Sequence, residues 1–228
     1  MYRNEMKFLV DELTLQFMQR KLEPLLPADR HQTDGSYRIR SMYFDTYERK
    51  SYRENDAGVE ERKKYRIRVY DQPKEYIRLE IKHKLKGMNV KEGCQLSIET
   101  YQQIIDRSLR FDPSYPKALT QLYLDMSMNL LRPSIIVEYE RAALVYDIGN
   151  VRITFDRNIS YSHEFDLFLE DEIPKTPLLP SNKHVFEVKY DKVLPEFISQ
   201  TIETGEMTRT TFSKFYLSHL HAEGEKII

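Results

Sequence analysis

An α+β fold, an antiparallel β-barrel or tunnel of about eight strands with helices packed outside, is what this sequence predicts. Three observations carry the prediction. Strand-like segments follow one another as hairpins, and the helical segments fall between groups of strands rather than in βαβ alternation. Most of these segments alternate charged with apolar residues, the period of a strand with one face in a core. Finally, 228 residues with 40% hydrophobic and 31% charged content can build a substantial core and are too polar for a membrane protein. No composition shift or repeat marks a boundary, so 1–228 reads as a single domain.

Residues 3–10 alternate Arg3, Glu5 and Lys7 with Met6, Phe8 and Val10 and form the first strand. Asp11 caps a helix with an apolar face of Leu13, Phe17, Met18, Leu22 and Leu25, which Pro24 and Pro27 close. A polar loop around 33–36 leads to a strand over 37–44, whose YFDT end turns into a short helix. Strands at 63–70, 76–85 and 88–92, joined by DQPKE and KG turns, form a meander. Ser97 caps a helix carrying Ile98, Tyr101, Ile105 and Leu109, and a second helix after Pro116 carries Leu119, Leu122, Tyr123 and Met126. Tyr101, Phe111, Tyr115 and Tyr123 read as helix-packing core. Residues 134–145 and 151–156 make a hairpin about a DIGN turn. A proline-containing loop over 170–183 precedes a strand at 184–190 and helices at 194–202 and 212–221.

Several function classes drop out early. The chain has only 7 Gly and neither G-x-G-x-x-G nor G-x-x-x-x-G-K-[ST], which removes Rossmann and P-loop nucleotide sites. One cysteine, Cys94, and six histidines without H-E-x-x-H spacing remove thiolate and zincin zinc sites, and no G-x-S-x-G elbow occurs. A net charge of -1 argues against general nucleic-acid binding. The charged start, the lone cysteine and the lack of a spanning apolar run predict a cytoplasmic protein without direct membrane insertion.

The informative feature is which charges share a strand face, because side chains at i and i+2 point the same way about 7 Å apart. One face carries Arg3, Glu5 and Lys7; another Lys64, Arg66 and Arg68; a third Arg78, Glu80, Lys82 and Lys84. The hairpin adds Arg152, Thr154 and Asp156, and the strand at 184–190 adds Glu187 and Lys189. Any one such face is ordinary for a half-solvated antiparallel strand. Repeated on five strands and turned inside a barrel, mixed Lys, Arg and Glu would be costly unless they held a polyanion and a metal. Arginine forks and lysine ammoniums suit phosphate oxygens, and acids among them suit Mg²⁺ or Mn²⁺ bridging the same phosphates. A triphosphate is the natural guest, because phosphoryl transfer needs mostly positioning and charge neutralisation. Glu138 and Glu140 would point outward as solvated charges, and His83, on an apolar face, would be a satisfied packing histidine.

These motifs, in this order, resemble the VTC domain, the polyphosphate polymerase module of the vacuolar transporter chaperone complex, within the triphosphate tunnel metalloenzymes of the CYTH-like superfamily. The matching stretches are Glu5-Met6-Lys7, the turn at 43–46, Arg66-Ile67-Arg68, Glu80-Ile81-Lys82, Tyr139-Glu140-Arg141, Glu187-Val188-Lys189 and Phe212-Ser213-Lys214. The resemblance implies a tunnel in which Lys7, Arg66, Arg68, Lys82, Arg141, Lys189 and Lys214 grip phosphates and Glu187 holds Mn²⁺ or Mg²⁺. Arg152, Lys84, Glu5 and Glu80 join them as further lining. Arg3 stands where many tunnel triphosphatases carry another glutamate, which favours transfer to a phosphate acceptor over hydrolysis. The implied activity moves the γ-phosphoryl of ATP onto a chain begun on phosphate or pyrophosphate, giving polyphosphate. The alternatives are an inorganic or nucleoside triphosphatase and a non-catalytic polyphosphate-binding module. Eukaryotic members join this domain to other modules, so a membrane-protein partner is also implied.

Overall fold

In a computed structural model, the described residues are 4–32, 34–85, 88–203 and 207–224. Arg3, Thr33 of the first polar loop and the Lys86-Gly87 turn lie outside them. The strands are β1 (Asn4–Asp11), β2 (Tyr37–Asp45), β3 (Arg62–Tyr70), β4 (Ile77–Leu85), β5 (Met88–Leu96), β6 (Arg132–Tyr146), β7 (Val151–Ser162), β8 (Thr176–Pro177) and β9 (Lys183–Tyr190). The helices are α1 (Glu12–Leu22), α2 (Lys50–Asp56), α3 (Ile98–Ile105), α4 (Lys117–Asn129), α5 (Glu196–Glu203) and α6 (Lys214–Ala222). The strands hydrogen-bond in the order β1-β9-β7-β6-β2-β3-β4-β5, with β8 beside β7. Among the described residues this order has two ends, so ladder hydrogen bonds do not close it into a ring. The α+β class and the antiparallel sheet are as expected. No helix among the described residues is long and apolar enough to cross a membrane.

The chain forms two compact units, each discontinuous in sequence. The first comprises Met1–Arg38, Glu138–Ser160 and Pro177–Ser213; the second comprises Ile39–Val137, Tyr161–Thr176 and Lys214–Ile228. Each has its own core.

In the first unit, β1 runs antiparallel to β9 and β9 to β7. Their apolar faces, including Phe8, Phe155, Phe186 and Val188, bury against Leu15, Met18 and Leu22 of α1 and Ile198 of α5. Asp11 caps α1 as expected, accepting from the Thr14 N–H at 2.8 Å. The expected helix face is wrong, however. Leu13 is 80% exposed, Phe17 48% and Leu25 47%, because Leu15, Met18 and Leu22 define the buried stripe and Leu13 and Phe17 fall on the opposite side. In the turn between β6 and β7, Gly149 has φ +76, and a Cβ there would lie 2.8 Å from the Val193 carbonyl oxygen; both facts demand glycine. Two strands outrun their expected ends: β7 continues past Asp156 through Asn158, whose φ of 52 marks a bend, and β5, in the second unit, continues past Glu92 through Gly93.

In the second unit, β2, β3, β4 and β5 form the expected antiparallel meander. Tyr65, Ile67, Leu79 and Ile81 bury one face of it against Tyr101 and Ile104 of α3 and Leu119 and Leu122 of α4. Ser97 caps α3 by accepting from the Thr100 N–H at 3.1 Å. In the YFDT turn, the buried Asp45 carboxylate accepts from the N–H groups of Thr46, Ser51 and Tyr52 at 2.8, 2.8 and 3.0 Å, so this acid starts α2. Three expectations fail here or nearby. Phe111 is 54% exposed and meets only the Tyr123 ring, 5.7 Å away, among the ring contacts of the described residues. His83 is not satisfied: its Nε2 is buried without a hydrogen-bond partner among the described residues. Burial, then the Lys63 charge, lowers its pKa. Glu138 is only 4% exposed, because β6 is buried on both faces and simple alternation fails along it; Glu140 does face solvent.

Candidate functional site

The predicted site residues fall into two ionic clusters, one in each unit. Antiparallel register sets the first. Glu5 of β1, Lys189 of β9 and Arg152 of β7 are Cα partners in one row, and Lys7, Glu187 and Thr154 form the next. Paired residues share a face, so all six project from the side opposite the Phe8–Phe186 core. The Lys7 ammonium lies 2.7 Å from Glu5 and 3.6 Å from Glu187, and the Lys189 ammonium lies 2.6 Å from Glu187. Arg141 of β6 donates to both Asp156 carboxylate oxygens, at 2.6 and 2.7 Å, and stands 3.9 Å from Glu187. Arg152 turns to the buried Asp29 carboxylate and donates to the Tyr37 hydroxyl at 2.9 Å.

Charge compensation in this cluster is close. Burial works against the Lys7 ammonium, but Glu187 and Glu5 outweigh it and the pKa is raised. Burial prevails at Lys189, whose pKa is lowered despite Glu187 and Glu5. Burial also opposes the Arg141 charge, yet Asp156 holds its pKa well above the usual arginine value. Thr154 is the exception to the pairing. It is 1% exposed, and its Oγ1 has no hydrogen-bond partner among the described residues, although it shares a row with Glu187.

The second cluster is strongly cationic. Register places Tyr43, Arg66, Glu80 and Gly93 in one row and Ser41, Arg68, Arg78 and Gln95 in the next; Lys64, Lys82 and Lys91 follow, then Arg62, Lys84 and Asn89. Glu80 is 1% exposed and gathers the cations. Arg66 donates to it through Nε at 2.7 Å and lies 2.5 Å away through Nη2; Arg78 and Arg68 stand 3.8 and 4.0 Å off, and Lys91 pairs with it directly. Burial opposes the Glu80 charge, but Arg66, Arg68 and Lys91 pull its pKa down to about 2. Arg68 donates to the Ser41 hydroxyl at 3.0 Å, and Lys64 to the Asn55 side chain at 2.6 Å. Gly93 lets β5 pass Glu80 closely, since a Cβ there would lie 2.5 Å from the Leu79 carbonyl oxygen. Lys214 opens α6, where the next residue, Phe215, packs 5.1 Å from the Tyr43 ring and 5.0 Å from the Lys64 ammonium.

Thus Glu5, Lys7, Arg141, Arg152, Glu187 and Lys189 cluster in one unit, and Arg66, Arg68, Glu80, Lys82 and Lys84 share one strand face in the other, while Lys214 is the first residue of α6. Sequence reasoning put Thr154 and Asp156 on an ionic face without naming them as site residues, and missed Asp29 and Lys91. Thr154 and Asp156 carried a signal in the alternation of β7. Lys91 carried the same signal along β5, whereas Asp29 sits in a loop and carried none.

Glu187 and the unpartnered Thr154 hydroxyl are oxygen donors of the type a hard divalent cation takes. Among the described residues no three His, Cys, Asp or Glu side chains converge on a metal position. A hard divalent cation held by Glu187 and Thr154 would take further oxygen ligands from phosphate.

The described fold is similar to a Hippeastrum protein provisionally described as an adenylyl cyclase and said to have a dominant triphosphatase activity, at TM-score 0.57 and 13% identity, covering 100% of this chain and 98% of that one. It is also similar to a Bacillus halodurans protein provisionally described as an adenylate cyclase, at TM-score 0.53 and 16% identity over 93% of this chain and 96% of that one. A third likeness is the PH1819 protein of Pyrococcus horikoshii, at TM-score 0.53 and 14% identity over 97% and 99%. No curated protein matches the chain in sequence. The family model described as the VTC domain matches residues 2–221, and the chain belongs to the VTC domain family.

Proposed function

We propose that this protein is a metal-dependent polyphosphate polymerase that transfers the γ-phosphoryl of ATP to a phosphate, pyrophosphate or polyphosphate end. Support for a polyanionic substrate comes from the β3–β4–β5 face. Like charges placed opposite each other on neighbouring strands destabilise a sheet, and here Lys64, Lys82 and Lys91 stand in one row, with Arg68 and Arg78 in another. A bound chain of phosphates removes that repulsion, through arginine forks and lysine point charges.

The observation that carries transfer over hydrolysis is the state of the acids in the first cluster. Glu187 is held by Lys189, Asp156 by both nitrogens of an Arg141 fork, Asp29 by Arg152 and Glu5 by Lys7. A carboxylate already accepting from a cation is a poor base for water. A phosphate acceptor is anionic and needs none. In the proposed reaction an acceptor phosphate oxygen bonds to the γ-phosphorus while the bond to the bridging β–γ oxygen breaks, and ADP leaves with that oxygen. Cations for phosphate oxygens are offered by Lys7, Lys189 and Arg141 in the first unit and by Arg66, Arg68 and Lys82 in the second. Glu187, with Thr154 beside it, would hold the divalent ion, which when bound supplies further neutralisation of the β- and γ-oxygens.

A triphosphatase is the second reading, favoured by the dominant activity ascribed to the Hippeastrum neighbour. The test compares Arg66→Ala with the exposed Lys117→Ala, following chain synthesis and phosphate release separately. Polymerase activity lost in Arg66→Ala and kept in Lys117→Ala supports the reading; equal activity in both returns the arginine face to a structural role.

A further inference from the structure

The second unit holds a cavity of about 650 Å³ whose lining takes nothing from either ionic cluster. We propose that it is a binding site for a nucleoside phosphate, distinct from the site of phosphoryl transfer. Its size lies within the roughly 300–1,000 Å³ of ordinary small-molecule sites.

Three arginines line it: Arg49 ahead of α2, Arg107 after α3 and Arg132 at the start of β6. Arg49 and Arg107 have φ of 59 and 57, the left-handed region in which a side chain costs about 1–2 kcal/mol and glycine is usual. Two separate helix ends thus carry arginine at a backbone position that disfavours it, and both line the same cavity. Strain kept in this way marks a site. Among the described residues, neither Arg107 nor Arg132 has a carboxylate partner. Arg49 does: the Glu223 carboxylate is seated on its guanidinium, so an anion already occupies part of the lining.

The other groups suit the rest of a nucleotide. Tyr47 is 71% exposed, with the Arg132 guanidinium 4.8 Å from its ring centre, and Phe165 lies on the same lining, edge-on to His163 at 6.2 Å. These rings offer faces for a base. Asp166 supplies the acceptor that ribose hydroxyls need and that inorganic phosphates do not use. The phosphates take Arg107, Arg132 and Arg49, and Glu223 yields its place.

This site is independent of the polymerase reading, and its test separates the two. ADP is titrated calorimetrically into the full chain in saturating inorganic triphosphate, which occupies any pure polyphosphate site, and then into Arg107→Ala/Arg132→Ala and Tyr47→Ala variants. Tyr47→Ala removes an exposed ring and leaves the fold intact, as a thermal melt checks. The expected result is one ADP per chain despite the triphosphate, at least about tenfold weaker in each variant. ADP binding that the variants leave unchanged overturns the site. Displacement of ADP by triphosphate at equal concentration overturns the nucleoside assignment. Loss of polymerase activity in Arg66→Ala bears on the other proposal alone.

Discussion

Replacing Glu80 with Gln is the sharpest probe of how the cationic strand face is held together. The substitution keeps the volume and one acceptor oxygen but removes the charge that Arg66 meets at 2.5 and 2.7 Å and that Arg68 and Arg78 meet at 4.0 and 3.8 Å. Two routes give the magnitude. Breaking a buried pair from one side costs about 3–5 kcal/mol, because the partner charge stays buried. The fall of the Glu80 pKa to about 2 independently corresponds to about 3 kcal/mol. For a chain of this size about 3 kcal/mol is a fall of roughly 6–12 °C in Tm. The sign with pH follows from a depressed carboxylate. Its contribution is present above the ordinary carboxylate value and disappears as pH falls from there through about 2. Urea unfolding of the wild type and Glu80→Gln at a series of pH values should therefore show a gap of about 3 kcal/mol near pH 6 that closes toward pH 2. A gap that stays constant with pH would refute the electrostatic account and make Glu80 a packing residue. No gap at pH 6 would mean that the cations do not depend on it.

Three other predictions concern the first cluster. Thr154→Val removes a buried hydroxyl without a partner, so it should hold or raise stability by up to about 1 kcal/mol while weakening Mn²⁺-dependent triphosphate binding; thermal melts with and without ligand read both effects. Asp156→Asn leaves Arg141 without its two-oxygen partner and should lower stability by about 3 kcal/mol in urea unfolding, with inorganic triphosphate restoring more to the variant than to the wild type. Glu187→Gln should abolish metal-dependent turnover with the circular dichroism spectrum unchanged; full activity would remove Glu187 from the metal position.

Period-two alternation makes the ionic faces legible in the sequence, and it is why Lys7, Glu187 and Lys189 can be named together there, and Arg66, Arg68, Glu80 and Lys82 likewise. What alternation could not supply is pairing across long sequence distances. That Asp29 reaches Arg152, or that Asp156 rather than a glutamate forks with Arg141, depends on register between β6, β7 and the loop before β2. Gly93 reads as a strand end, whereas here it is the residue that lets β5 pass close beside Glu80; Lys91, inside the expected strand, becomes a site group only through its pairing with Glu80. Glu138 was misread because a strand buried on both faces has no solvent side to which a charge can be assigned. On α1, five apolar residues fit helical spacing in more than one way, and only packing against β1 and β9 selects the stripe of Leu15, Met18 and Leu22.

The central claim, phosphoryl transfer to a phosphate acceptor, is tested most directly by incubating the purified protein with ATP and Mn²⁺, with and without pyrophosphate, and resolving polyphosphate from free phosphate. The expected result is chains that lengthen as ADP accumulates, faster with pyrophosphate present, and no such chains with Glu187→Gln. Free phosphate released from ATP without any chain would contradict the claim and establish the protein as a triphosphatase.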